Sequence, residues 1–386
     1  MFNMTNEELQ NKQALHTATE IQQQPEMWEE LRTILSEQRD IWNPFLTAIY
    51  EKHDYVRVIF TGAGTSAFIG DTITPLLRTN HQKQIQLDSI ATTDIVASPA
   101  EYLQDVPTIM VSFARSGNSP ESVAAVKLGK QLITDFYQVI ITCNKDGKLA
   151  ADTKEDTNAL TILMPEKAHD KGFAMTSSFT CMLISAYTLF TSNNLDTNVI
   201  QAAKKLIPSI PTSVKNICDF DWERIIYLGS GMLGQLSHEA ALKMLELSAG
   251  KVVALHESSL GFRHGPKSVL NDQTAVVLFF SQDAYTRKYD MDILREIADS
   301  PVKPKIIALT TEQNDAVETL ADWTIPVSAG FNIRTDDFHA ALLYILFAQS
   351  LALQKSLRLG ITPDNPSPDG NVNRVVQGVT IYDYDK

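Results

Sequence analysis

The chain repeats itself. "RVIFTGAG" from Arg57 to Gly64 returns as "RIIYLGSG" from Arg224 to Gly231, with an arginine, an apolar run and a GxG in the same order. An internal repeat constrains the fold more than any single motif, because each copy must be a unit that folds in the same way. The first copy opens a series of apolar runs at 56–61, 85–90, 108–113, 137–142 and 159–164. The second opens another at 224–229, 251–256, 274–280, 304–310 and 323–328. Each run has strand length and is followed by a stretch with helical periodicity, which is the βαβ rhythm of a parallel sheet covered on both faces. The predicted fold class is α/β: two tandem domains, each a five-stranded parallel sheet in a three-layer αβα sandwich.

Residues 1–50 read as a helical arm. "TNEE" is a capping-box pattern with Thr5 as N-cap and Glu8 at N3, and Trp28, Leu31, Ile34 and Leu35 recur at helical spacing. The first domain is expected over 51–200 and the second over 215–386, with the joint in the polar stretch near 192–220. A final helix at 337–358 stops at Gly360 as C′ residue and leads into a tail rich in Pro, Asp and Asn.

The net charge is −13, from 33 basic and 46 acidic side chains, which repels a nucleic-acid backbone. A small phosphorylated ligand remains compatible, because backbone N–H groups and hydroxyls cradle phosphate without net positive charge. "AALLYILFAQSLAL" is short for a membrane crossing and is interrupted by Gln349 and Ser350, so it reads as a buried helix. Cys143, Cys181 and Cys218 have neither metal-ligand nor CxxC spacing, and no signal-peptide pattern opens the chain; both point to a cytoplasmic protein.

Gly229, Gly231 and Gly234 spell GxGxxG, and Asp88 ends the second strand of the first copy. A dinucleotide site would need its acid in the same half, where only Glu257 is available, and a tight strand-to-helix turn accounts for the glycines equally well. "SFARSGNSPES" (112–122) is more specific. Ser119 suits an N-cap, Pro120 the first helical position, and Glu121 the positive end of the helix. Capping does not explain Ser112, Ser116 and Gly117 in the same turn, nor Thr65 and Ser66 in "GAGTS" after the first strand. Both loops leave the carboxyl ends of strands, where an anion is held, although a purely structural cap stays open. The second copy lacks those hydroxyls, which suggests that one half holds the anion and the other supplies chemistry.

Glu239, Lys243 and Glu246 fall at i, i+4 and i+7 of a predicted helix and share one face. They form either an exposed Glu–Lys pair or a reactive set. His256, Glu257, His264 and Lys267 follow in a Gly- and Ser-rich loop, and such loops carry function as readily as turns.

At "GAGTS", "SFARSGNSPES", "FAMTSSFT" (173–180) and "HEAALKMLELSAGKVVALHESSLGFRHGP" (238–266) the sequence resembles the sugar isomerase (SIS) domain family. Within it the likeness is greatest to the bacterial galactosamine-6-phosphate deaminase/isomerases, often labelled tagatose-6-phosphate ketose/aldose isomerases. The resemblance implies that Ser66, Ser116 and Ser119, with Gly64, Thr65, Arg115 and Gly117 around them, bind a sugar phosphate. It implies that Glu246 moves a proton between the first two sugar carbons, that His264 assists ring opening, and that Glu239 and Lys243 orient or polarise the reacting end. It implies a homo-oligomer, dimer or tetramer, that completes its sites across a symmetric interface. No cofactor is expected, and no metal is required because no close His/Asp/Cys set has ligand spacing, although His256, Glu257 and His264 leave one open. The related amidotransferases carry a lysine in the C-terminal tail where Gln377 stands here. The expected reaction converts galactosamine 6-phosphate to tagatose 6-phosphate and ammonia. Isomerisation of a plain sugar phosphate, and a non-catalytic sugar-phosphate sensor, are the alternatives.

Overall fold

The structure is a computed structural model that describes residues 2–79, 84–376 and 378–385. Gln377 lies outside the described residues. The first series of apolar runs forms β1 (Val56–Thr61), β2 (Ile85–Ser89), β3 (Thr108–Ala114), β4 (Phe136–Thr142) and β5 (Ala159–Leu163). The second forms β6 (Arg224–Gly229), β7 (Val253–Ser258), β8 (Thr274–Phe279), β9 (Lys305–Thr310) and β10 (Trp323–Pro326). The sheets run β2-β1-β3-β4-β5 and β7-β6-β8-β9-β10, parallel throughout. Each is therefore the same topology, with its order reversing between β1 and β3 or between β6 and β8. Loops leaving the carboxyl ends of those strands open a crevice, the usual ligand position in an open α/β sheet.

The repeat is visible in backbone angles. Gly64 (φ 56°, ψ −130°) and Gly231 (φ 57°, ψ −128°) are the N-caps of the helices Thr65–Arg78 and Met232–Leu247. A side chain on Gly62 would meet the Ser66 backbone at 2.5 Å, and one on Gly229 the Leu233 carbonyl at 2.6 Å. Glycine is required for the helix to start this close to its strand.

β7 begins two residues later than the apolar run predicts. Lys251 and Val252 are used to close the preceding helix: the Lys251 N–H bonds the Ser248 carbonyl, the Val252 N–H bonds Ser248 Oγ, and Ala249 and Gly250 take positive φ. Pairing starts when the Val253 N–H reaches the Glu223 carbonyl.

Two compact units divide the chain. One holds the first sheet and comprises Met27–Asp170, Ser177–Leu195 and Gly370–Lys386; the other holds the second sheet and comprises Met1–Glu26, Lys171–Thr176 and Asp196–Asp369. The helices of residues 1–50 are thus shared between the units, and the C-terminal tail joins the first-sheet unit. Thr5 and Glu8 form the expected capping box. In the first-sheet unit Ile59, Met110, Ala125 and Phe136 belong to one apolar cluster. In the second-sheet unit Ile226, Val276, Ile293 and Phe262 do the same. The helix Asp337–Arg358 is long and apolar enough to cross a membrane but is buried within its unit. It ends in a Schellman motif, with the Ile361 N–H on the Ser356 carbonyl and Gly360 at φ 70°.

Candidate functional site

The predicted site residues fall into two groups, one per unit. In the first-sheet unit, the loops after β1 and β3 flank the switch point; Thr61 pairs with Ser112 just below them. Gly64, Thr65 and Ser66 open the helix Thr65–Arg78, and Ser119 precedes the helix Pro120–Leu132. Neither helix has a side-chain cap; the Ser66 N–H turns back on the Ala63 carbonyl at 3.2 Å and the Ala67 N–H on the Gly64 carbonyl at 2.8 Å. Ser119 is at the N-cap position as predicted, but its hydroxyl donates to Ser122 Oγ at 2.6 Å instead of capping.

Neighbouring chain fixes this loop. The Asn144 amide donates to the Ser116 carbonyl at 2.9 Å, the Lys148 N–H to Asn118 Oδ1 at 2.9 Å, and the Leu149 N–H to the Gly117 carbonyl at 3.1 Å. Gly117 (φ 68°) passes 3.3 Å from Gly147 at the point where a Cβ would project, which excludes a larger residue. Arg115 is nearly buried and donates to the Arg374 carbonyl at 3.0 Å, and Arg374 in turn donates to the Asp170 carbonyl. His169 belongs to the same cluster: burial lowers its pKa, and the Arg374 and Arg115 charges lower it further. Sequence reasoning named neither His169 nor Arg374.

The second-sheet unit builds the same crevice and fills it. Ser230 follows β6, Ser259 follows β7 and Ser281 follows β8. All three converge on Asp290: the Ser230 hydroxyl at 2.6 Å, the Ser259 hydroxyl at 2.7 Å and the Ser281 N–H at 3.0 Å. Asp337 takes the Ser281 hydroxyl at 2.8 Å and the Gln282 N–H at 2.6 Å. Burial raises the pKa of Asp290 against the pull of these donors. A carboxylate of the chain therefore gathers donors from all three loops of this crevice. The glycines of GxGxxG are accounted for by packing, with Gly234 Cβ space bounded by the Gly229 carbonyl at 3.0 Å.

The second group lies on the helix Met232–Leu247. Glu239 and Lys243 are fully buried, which rules out the exposed-pair reading. The Lys243 ammonium lies 3.4 Å from Glu239 Oε1 and 2.5 Å from Glu246 Oε2, and the Glu246 side chain keeps 22% of its surface open. Burying a charge is costly unless it is paired, so this ammonium is stable only between its two carboxylates. His264 is placed differently. Phe262 anchors its loop in the core, and Glu296 clamps Arg263 and Lys267 on either side, so that His264 is held outward and exposed. Among the described residues no hydrogen bond or ion pair joins its imidazole to the Glu239–Lys243–Glu246 set.

The SIS domain family matches residues 50–192 and 220–356, one match on each sheet. Over 372 residues the chain is 42% identical to the D-galactosamine-6-phosphate deaminase AgaS of Escherichia coli, covering 95% of both proteins. It is 40% identical over 383 residues to the protein of the same name from Shewanella sp. (strain ANA-3), covering 98% of this chain and 95% of that one. The solved tagatose-6-phosphate ketose/aldose isomerase from Escherichia coli superposes with a TM-score of 0.83 at 38% identity, over 96% of this chain and 97% of the other. Both copies of the repeat are matched and the agreement runs almost end to end: the chain belongs to the SIS domain family.

Proposed function

We propose that this protein is an aminosugar-phosphate deaminase/isomerase that converts D-galactosamine 6-phosphate and water to D-tagatose 6-phosphate and ammonia. The observation that carries the reading is the fully buried Lys243 held between Glu239 and Glu246. A sugar-phosphate sensor needs an anion cradle but has no use for a buried cation aimed at a partly open carboxylate. The choice of aminosugar rests on the names of relatives about 42% identical over nearly the whole chain.

In this reading the serine loop and the two uncapped helix N-termini of the first-sheet unit hold the phosphate, with Gly64, Thr65, Ser66, Arg115, Ser116, Gly117 and Ser119 as its ligands. That grip is remote from the bond changes, so its binding energy serves to position the reacting carbons. His264 exchanges the proton that opens the ring, a task suited to imidazole near neutral pH. Glu246 takes the proton from C2 of the open aldehyde and returns it to C1. The enolamine becomes a C2 ketimine, and water adds to it and expels ammonia. Lys243 and Glu239 orient Glu246. The chain's own residues suffice, with no cofactor and no metal. Self-association of a cytoplasmic protein is part of the proposal; Val253 (52% exposed) and Leu255 (38%) lie two apart on edge strand β7 and so share a face.

The test is ammonia release from galactosamine 6-phosphate and glucosamine 6-phosphate by purified protein. The expected result is release from the galacto substrate, lost in Glu246→Gln. Ser116→Asp should raise KM through charge repulsion with kcat much less affected. Product formation without ammonia from a non-amino sugar phosphate would instead establish the plain isomerase.

A further inference from the structure

A cavity of about 520 Å³ lies wholly within the first-sheet unit, between the short helix Thr92–Ala97, the helix Pro120–Leu132 and tail residues 379–384. Its walls are mostly apolar, with Val96, Pro99, Ala124, Leu128, Ile381 and Tyr384 among them. The tail wall is pinned rather than draped. Lys127 pairs with Asp383 at 3.0 Å, Gln131 donates to the Tyr384 carbonyl at 2.8 Å, and the Tyr384 ring packs on the Ile95–Leu128 cluster.

One ionisable group on this lining is buried. Glu121, in the first turn of the helix Pro120–Leu132, is 8% exposed, and its Oε2 is buried with no hydrogen-bond partner. The helix N-terminus favours a negative charge there but supplies no donor to that oxygen. Lys127, the cation on the same wall, is engaged by Asp383 at the exposed rim. A buried carboxylate oxygen without a donor is costly, and an apolar cavity with a single such group is the usual form of a small-molecule site.

We propose that this cavity is a binding site for a small organic ammonium ion, its nitrogen donating to the Glu121 carboxylate and its apolar body lying between Val96, Leu128 and the tail. A neutral alcohol of the same shape meets the same walls but offers one uncharged donor, and charge-assisted hydrogen bonds are about twice as strong as neutral ones. A carboxylate of the same shape is repelled by Glu121 and by the net charge of −13. The site does not depend on the proposed reaction.

The full-length chain is titrated with phenethylammonium, 2-phenylethanol and 3-phenylpropionate by calorimetry at low ionic strength. Phenethylammonium is expected to saturate at one per chain, the alcohol to bind at least about tenfold more weakly, and the carboxylate not to bind. Glu121→Gln should weaken the ammonium by about tenfold or more and bring it level with the alcohol. Ala97 is exposed on the lining, so Ala97→Trp fills the cavity without disturbing the core and should remove binding whatever becomes of the Glu121 variant. Absence of saturable binding, equal binding of the three probes, or ammonium binding that survives Ala97→Trp would overturn the assignment.

Discussion

Asp290 and Ala124 occupy the same place in two copies of one helix. The helices Pro120–Leu132 and Thr286–Ala298 both run for 13 residues after the third strand of their sheets, and each residue stands fifth in its helix. Only Asp290 carries a carboxylate into the crevice, where it gathers donors from three loops. The two crevices therefore share one geometry, and in one of them a carboxylate of the chain takes up the loop donors.

Inorganic phosphate should accordingly bind at one site per chain, measurable as the stoichiometry of a calorimetric titration and abolished by Ser116→Asp. Asp290→Ala should leave the Ser230 and Ser259 hydroxyls and the Ser281 N–H without their acceptor and cost about 1–3 kcal/mol in urea unfolding. Two equivalent phosphate sites in the native protein would contradict this account.

Lys243 gives a second prediction, testable without substrate. Lys243→Met removes the ammonium 3.4 Å from the buried Glu239 carboxylate and should destabilise the protein by about 3–5 kcal/mol. The double variant Glu239→Gln/Lys243→Met removes both charges and should recover part of that loss. A double-mutant cycle that sums additively would mean the two groups do not interact.

Gly64 and Gly231 separate backbone strain from packing. A Cβ at either position meets nothing within 4 Å, yet φ near +56° with ψ near −130° is a region that side-chain-bearing residues avoid. Gly64→Ala and Gly231→Ala should each cost about 1–3 kcal/mol, by similar amounts, in chemical denaturation. Unequal losses would show that the shared angles do not carry shared strain.

The inner strands β1, β3, β4, β6, β8 and β9 were legible because buried parallel strands are apolar nearly throughout, and the limits expected for β1 and β6 are those found. β7 was misplaced because Val252 looks like a strand residue while serving a helix end. The serine loop was legible as a local pattern of hydroxyls, glycine and proline. What the sequence concealed depends on distance along the chain: Arg374 bonds Asp170 across 204 residues, and Asp290 meets Ser230 across 60. Lys243 was misleading for another reason. A Glu–Lys–Glu spacing is the ordinary signature of a solvated helix face, and only the packing of that helix turns it inward.

His238 and His256 set the last prediction. Their rings stack at 3.9 Å between centroids and 14° between planes. Burial, with His256 adding to it, brings the pKa of His238 down to about 4; burial also lowers that of His256, opposed by Glu257. Above pH about 6.5 both rings are neutral whether the chain is folded or not, so the pair costs nothing there. As pH falls from about 6.5 toward about 4 the unfolded chain takes up protons that the folded chain resists, and stability declines across that window. Below it His238 is protonated in both states and its contribution to the slope ends. His238→Phe keeps an aromatic ring against His256 without a titrating group, so its unfolding free energy should fall less steeply than the parent's over the window. Parallel curves for the two proteins would mean that the stacked pair does not resist protonation.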